Sequence, residues 1–125
     1  MRSTAENAEL ALLLEVAGTP KPGNVDRERE FADLRFEHFL AGAVGAQAGL
    51  RAAAVPEGGG VGTAFERAIE GMSHQRGGNT QFGALLVVVP LVRAAARGDL
   101  SREGVEAVVG DTTVEDACAF FRAFD

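Results

Sequence analysis

Two short polar stretches hold most of the residues suited to ligand chemistry in this 125-residue sequence. The first reads Pro20-Lys21-Pro22-Gly23-Asn24-Val25-Asp26-Arg27. Lys21 and Arg27 are cations of the kind that grip phosphate oxygens through charge-assisted hydrogen bonds. Asp26, with Asp33 a few residues on, offers the hard oxygens that hold Mg²⁺ directly or through water. Two prolines stiffen the stretch and Gly23 lets the backbone turn. Stiffness matters because a site must hold its groups before the ligand arrives. Cations beside carboxylates suit a metal–polyphosphate ligand; a surface turn with local ion pairs would use the same residues.

The second stretch reads Gly77-Gly78-Asn79-Thr80-Gln81-Phe82-Gly83 and stands just before the most apolar segment of the chain. Its glycines permit close backbone approach. Thr80 is placed to cap a following helix, whose free N–H groups attract an anion. Asn79 can orient a hydroxyl or a phosphate. A cap and turn without a ligand is the other reading of these residues. His74 lies just upstream in the same polar segment. His38 sits between Glu37 and Phe39 and reads as a half-buried helix residue. No His/Cys cluster has metal-ligand spacing.

Helices must position these loops. Ser3 to Val16 reads as the first, with a capping box of Ser3 and Glu6 and one face made of Leu10, Leu13, Leu14 and Ala17. Gly18, Pro20 and Pro22 end it. A second helix is expected from about Ala32 to Ala54, with Gly42, Gly45 and Gly49 as points where another helix comes close. Pro56 to Gly62 reads as a flexible glycine-rich connection, without the Gly-Lys-Ser/Thr ending of a phosphate-binding loop. Thr63 and Glu66 have capping-box spacing ahead of Phe65, Ile69 and Met72. The segment from about Gln81 to Arg97 is assigned to a helix by its length, although Val87 to Val89 favour strands. Pro90 should kink it, and Gly98 should stop it. A short helix over Ser101 to Val109 follows. Thr112 or Thr113 then caps a last one, whose apolar face is Ala117, Phe120, Phe121 and Phe124. Cys118, on that helix, is expected to be packed. The fold class is all-α, an array of about six helices.

Composition narrows the function further. Apolar residues make up 46% of the chain, which suits a globular core. The net charge of −6 argues against non-specific nucleic-acid binding, which needs a basic face. Lys21 is the only lysine among 12 basic residues, which sets it apart in an arginine-biased sequence. With a single cysteine no internal disulfide can form, and Met1 to Ala8 lacks the basic-then-apolar layout of a signal peptide. A cytoplasmic location is expected, with no membrane partner.

Pro20-Lys21-Pro22-Gly23 followed by Val25-Asp26-Arg27, with Glu15-Val16 upstream, resembles the first signature of the triphosphoribosyl-dephospho-CoA synthase family. Gly78-Asn79-Thr80 followed by Gly83-Ala84 resembles its second signature. The order and spacing agree, and the resemblance covers roughly Glu9 to Phe124. It implies transfer of the triphosphoribosyl group of ATP to 3'-dephospho-CoA with release of adenine. Asp33 and Glu28 are then the candidate carboxylates that stabilise an oxocarbenium-like state or take the nucleophile's proton. Lys21, Gly23, Arg27, Gly78, Asn79 and Thr80 would bind the triphosphate, with Mg²⁺ on Asp26 and Asp33. Gln81 and Phe82 stand where the family usually has His and Lys, and Asn24 where it usually has an apolar residue. The resemblance also implies that this single helical domain is the N-terminal part of a larger helical fold. The alternative is a small helical oligomer or nucleotide-binding protein without turnover, with exposed apolar surface around Phe120, Phe121 and Phe124 covered by a partner or a second copy.

Overall fold

The computed structural model describes residues 1–18, Val25 and residues 34–124. Seven helices form among them: α1 (Thr4–Ala17), α2 (Phe36–Gly45), α3 (Gln47–Ala53), α4 (Val61–Met72), α5 (Phe82–Ala96), α6 (Arg102–Gly110) and α7 (Val114–Ala123). Apart from an isolated bridge at Leu34, the described residues hold no strand. No helix among them is long and apolar enough to cross a membrane. The all-α expectation holds, with one helix more than anticipated.

Local signals set most of the helix ends. Ser3 Oγ accepts from Glu6 N–H while Glu6 Oε1 accepts from Ser3 N–H, so the expected capping box is present. Ser101 Oγ caps α6 through Gly104 N–H, and Thr113 forms a capping box with Asp116. At the end of α5, Gly98 has φ +80°. Its N–H donates to the Ala95 carbonyl and Asp99 N–H to the Ala94 carbonyl, the paired bonds of a Schellman stop. The α5 helix runs through Pro90.

The long second helix divides at Ala46 into α2 and α3. Hydrogen bonds continue through the division, from Ala46 N–H to the Gly42 carbonyl and from Leu50 N–H to the Ala46 carbonyl. It falls beside Gly45, where α2 crosses α4. A Cβ on Gly45 would run into the Gly71 carbonyl, and one on Gly71 into the Gly45 carbonyl. Gly49 meets the Ala68 backbone in the same way, and Gly42 the side chains of Thr80 and Gln81. The three glycines are contact points, as their spacing suggested.

Helix α4 is the centre of the array and packs on α2, α3, α5 and α7; α1 packs on α2, α3 and α5, and α6 on α5. The main core joins Leu12, Leu50, Phe65, Ile69, Met72, Leu85 and Val89. A smaller cluster of Val16, Val25 and Phe39 lies where the end of α1 meets the start of α2.

Four local expectations are corrected. The buried face of α1 is Ala5, Ala8, Leu12 and Val16, and Leu14 is exposed. Leucine occurs on several sides of this helix, so the leucine positions alone misplace the face. Thr63 does not cap α4. The helix starts at Val61, and Asp116 of α7 accepts the Gly62 N–H at 2.9 Å. Glu66 instead pairs with Arg122 at 2.7 Å. On α7 the inner positions are Ala119 and the half-buried Phe120 and Ala123, while Ala117 and Cys118 are exposed and Phe121 and Phe124 are 67% and 61% exposed. Finally, the Pro56 to Gly62 connection is tied down. Arg93 donates to the Gly59 carbonyl at 2.7 Å, and Asp116 holds Gly62.

Candidate functional site

The segment between α4 and α5 is built by side-chain amides. Gln75 bridges it: Nε2 donates to the Met72 carbonyl at 2.8 Å and to the Gly78 carbonyl, while Oε1 accepts the Gly77 N–H. These bonds close a tight turn in which Gly78 takes φ +71°, a conformation glycine adopts without a Cβ penalty. Neither the turn nor the role of Gln75 was visible in the sequence, since any Gln in a polar loop looks alike.

The expected cap on α5 is made by a different residue. Asn79 Oδ1 accepts the Phe82 N–H at 3.0 Å, and Thr80 makes no such bond. The Thr80 hydroxyl donates to Oε1 of Gln81. Gln81 is only 4% exposed. Its Nε2 donates to the Phe39 carbonyl at 2.6 Å, and its backbone N–H points at the Met72 sulfur at 3.1 Å. A carbonyl can only accept, so the Gln81 amide must present nitrogen to Phe39 and oxygen to Thr80. The same logic orients Asn79. Its oxygen faces the Phe82 N–H, which leaves both N–H bonds of Nδ2 without a partner among the described residues.

The two residues that depart from the second signature are both packed. Gln81 anchors the loop on α2. Phe82 joins a ring cluster, 5.2 Å from Phe65 and 4.8 Å from Phe124 between centroids.

His38 stands at the border of this loop. Its Nδ1 accepts the Arg35 N–H at 3.0 Å, which places the proton of the neutral ring on Nε2. A Cβ on Gly77 would lie 2.7 Å from the His38 Cγ and Nδ1, so the ring edge abuts the loop backbone. His38 is half-buried, as its helical position suggested, but it also serves as a backbone cap that the sequence did not signal. His74 is exposed and lines a depression of about 640 Å³ with Glu37, Leu40, Val44 and Gln75.

Of the sequence-derived site residues, Gly78, Asn79 and Thr80 are described and lie together. Lys21, Gly23, Asp26, Arg27, Glu28 and Asp33 lie outside the described residues. Val25, inside the first signature, is described and fully buried. It packs in the cluster of Val16 and Phe39, and Phe39 is the residue whose carbonyl receives Gln81. The first signature, through Val25, and the second, through Gln81, therefore converge on one residue of α2. Among the described residues, no group of three His, Cys, Asp or Glu could hold a metal ion.

A family model described as CitG, ATP:dephospho-CoA triphosphoribosyl transferase, matches residues 1–125. The chain belongs to this family. No curated protein and no solved structure matches the chain. Val25 and Gln81 are the described residues that bring the two signature stretches to Phe39.

Proposed function

We propose that the protein transfers the triphosphoribosyl group of ATP to 3'-dephospho-CoA and releases adenine. The observation that carries this reading is the approach of Val25, from the first signature, and Gln81, beside the second, to Phe39, in a chain that belongs to the family. In the reaction the bond from ribose C1 to the adenine nitrogen breaks, and adenine takes up a proton. A C1–O bond forms with a hydroxyl of dephospho-CoA, which gives up its proton. Lys21 and Arg27 neutralise the triphosphate, and Asp26 and Asp33 would hold Mg²⁺ against its oxygens. A carboxylate, Glu28 or Asp33, stabilises the cationic ribose or receives the proton of the nucleophile. Asn79 adds two N–H donors, Gly78 gives the backbone room, and Thr80 holds the loop. The depression beside the loop is lined by Leu40, Ala41 and Val44, apolar residues that suit a base, and by His74, which would protonate it.

Titration of the purified protein with ATP–Mg²⁺, beside Lys21→Ala and Asp26→Ala, tests the reading. Micromolar binding that both substitutions abolish is expected, followed by adenine release when dephospho-CoA is added. A folded protein that ignores ATP–Mg²⁺ would remove it.

A second reading, a helical module that self-associates, is favoured by one set of residues. Leu86 and Val87 on α5, Val109 on α6, Phe121 on α7 and Phe124 just after it are all exposed. Sedimentation velocity distinguishes it: a monomer across a hundredfold range of concentration removes the oligomer.

A further inference from the structure

Roles within the second signature can be divided by following its protons. Thr80 has one hydroxyl proton, and it is committed to Gln81 Oε1. That hydroxyl also sits against Gly42, on the α2 side of the loop. A group without a free proton cannot donate to a phosphate oxygen. Asn79 is the reverse case. Its oxygen is committed to the Phe82 N–H, and its two amide protons have no partner among the described residues. Asn79 is exposed, whereas Gln81 is buried.

We propose that Gln81 is a positioning residue for Asn79, and that Asn79 alone of the signature side chains in this loop donates to the anionic ligand. This rests on the nucleotide reading given above. Gln81 Nε2 fastens the loop to the Phe39 carbonyl, and Gln81 Oε1 holds Thr80. The first turn of α5 is thereby set, and with it the Phe82 N–H that aims the Asn79 amide. What the position requires is one donor and one acceptor on a short planar group. A neutral imidazole carries the same pair, so histidine should serve here in uncharged form.

The test compares Gln81→Leu with Gln81→His in the full chain. Two quantities are read: the affinity for ATP–Mg²⁺, and the Asn79 side-chain NH₂ resonances of the ligand-free protein. Gln81→Leu should weaken ATP–Mg²⁺ by about tenfold or more, as expected when an aligned hydrogen bond to a charged group is lost. It should also collapse the Asn79 resonances toward those of a free amide. Gln81→His should restore both. Thermal unfolding is followed in parallel. If Gln81→Leu fails to fold, Gln81→Glu takes its place, since it keeps the acceptor for Thr80 and loses the donor to Phe39. A folded Gln81→Leu or Gln81→Glu that is less stable but keeps wild-type affinity and wild-type Asn79 resonances overturns the proposal, because Gln81 is then only a core residue. Wild-type protein that does not bind ATP–Mg²⁺ overturns the nucleotide reading and the ligand role of Asn79 with it. The Asn79 resonances then decide the positioning role of Gln81 by themselves.

Discussion

Two places in the molecule are dense in glycine and polar side chains, and they treat those groups differently. One is the loop from Ser73 to Gln81. The other is the junction where the glycine-rich start of α4 meets Arg93 and Asp116. At the junction Arg93 and Asp116 both have internal tasks. Arg93 is 3% exposed, and its guanidinium donates to the carbonyls of Ala53 at 2.8 Å and Gly59 at 2.7 Å. Ala53 ends α3, where carbonyls lack helical partners and a cation is favoured. Burial, and then the nearby Arg97, lower the Arg93 pKa, while Asp116 works in the other direction. Asp116 holds Gly62 N–H with one oxygen and Thr113 N–H with the other. A cavity of about 430 Å³ lies beside these groups and is also lined by Thr63, Arg97, Asp111 and Glu115. In the loop, both Nδ2 protons of Asn79 have no partner among the described residues.

The strongest way to break this comparison is at the junction. Arg93→Met removes charged hydrogen bonds to buried carbonyls and should cost on the order of 3 kcal/mol, read from urea unfolding. Its folded fraction should bind ATP–Mg²⁺ as wild type does. Loss of affinity in the folded fraction would mean that the junction is not purely structural.

A smaller loss is expected at the helix crossing that leads into the loop. Gly71→Ala puts a Cβ against the Gly45 carbonyl, and the backbones must part. Overpacking of this kind costs roughly 2 kcal/mol. Because Met72 follows directly and carries two of the loop's bonds, this variant should also weaken ligand binding. Equal stability of Gly71→Ala and wild type in the same urea experiment would contradict the close crossing. Next comes Asp116→Ala, which removes a cap from α4 and half of the capping box of α7. About 1–2 kcal/mol should be lost, with partial recovery in Asp116→Asn, since its oxygen still accepts the Gly62 N–H.

What the sequence revealed and concealed follows from range. Ser3 with Glu6, Ser101 with Gly104 and Thr113 with Asp116 are pairs three residues apart, and each was legible or nearly so. Gly42, Gly45 and Gly49 were legible as contacts because small residues at helical spacing have few other uses. Asp116 capping α4, Arg93 closing α3 and Gln81 reaching Phe39 are bonds between positions 34 to 54 apart in the chain. Nothing local marks them. Gln81 and Phe82 looked like losses when compared with the family's usual His and Lys. Their burial shows that each has a place in the packing. The first signature was legible as a motif, and one residue of it, Val25, connects it to the described structure.

The finest test of the comparison is a change of one atom type. Asn79→Asp keeps the oxygen that accepts the Phe82 N–H and replaces the outward NH₂ with a second oxygen. Stability should stay within about 0.5 kcal/mol, because the cap survives and a negative charge near the start of α5 is mildly favourable. Binding should respond quite differently. Two donors become an acceptor with like charge to the triphosphate, so ATP–Mg²⁺ affinity should fall by about ten- to a hundredfold. Inorganic tripolyphosphate should weaken in parallel, since the contact is to phosphate and not to the base. A folded Asn79→Asp that binds both ligands as wild type does would place the anion elsewhere and make the loop as structural as the junction. A stability loss as large as that of Asp116→Ala would show instead that the Asn79 NH₂ is held in the fold and is not free for a ligand.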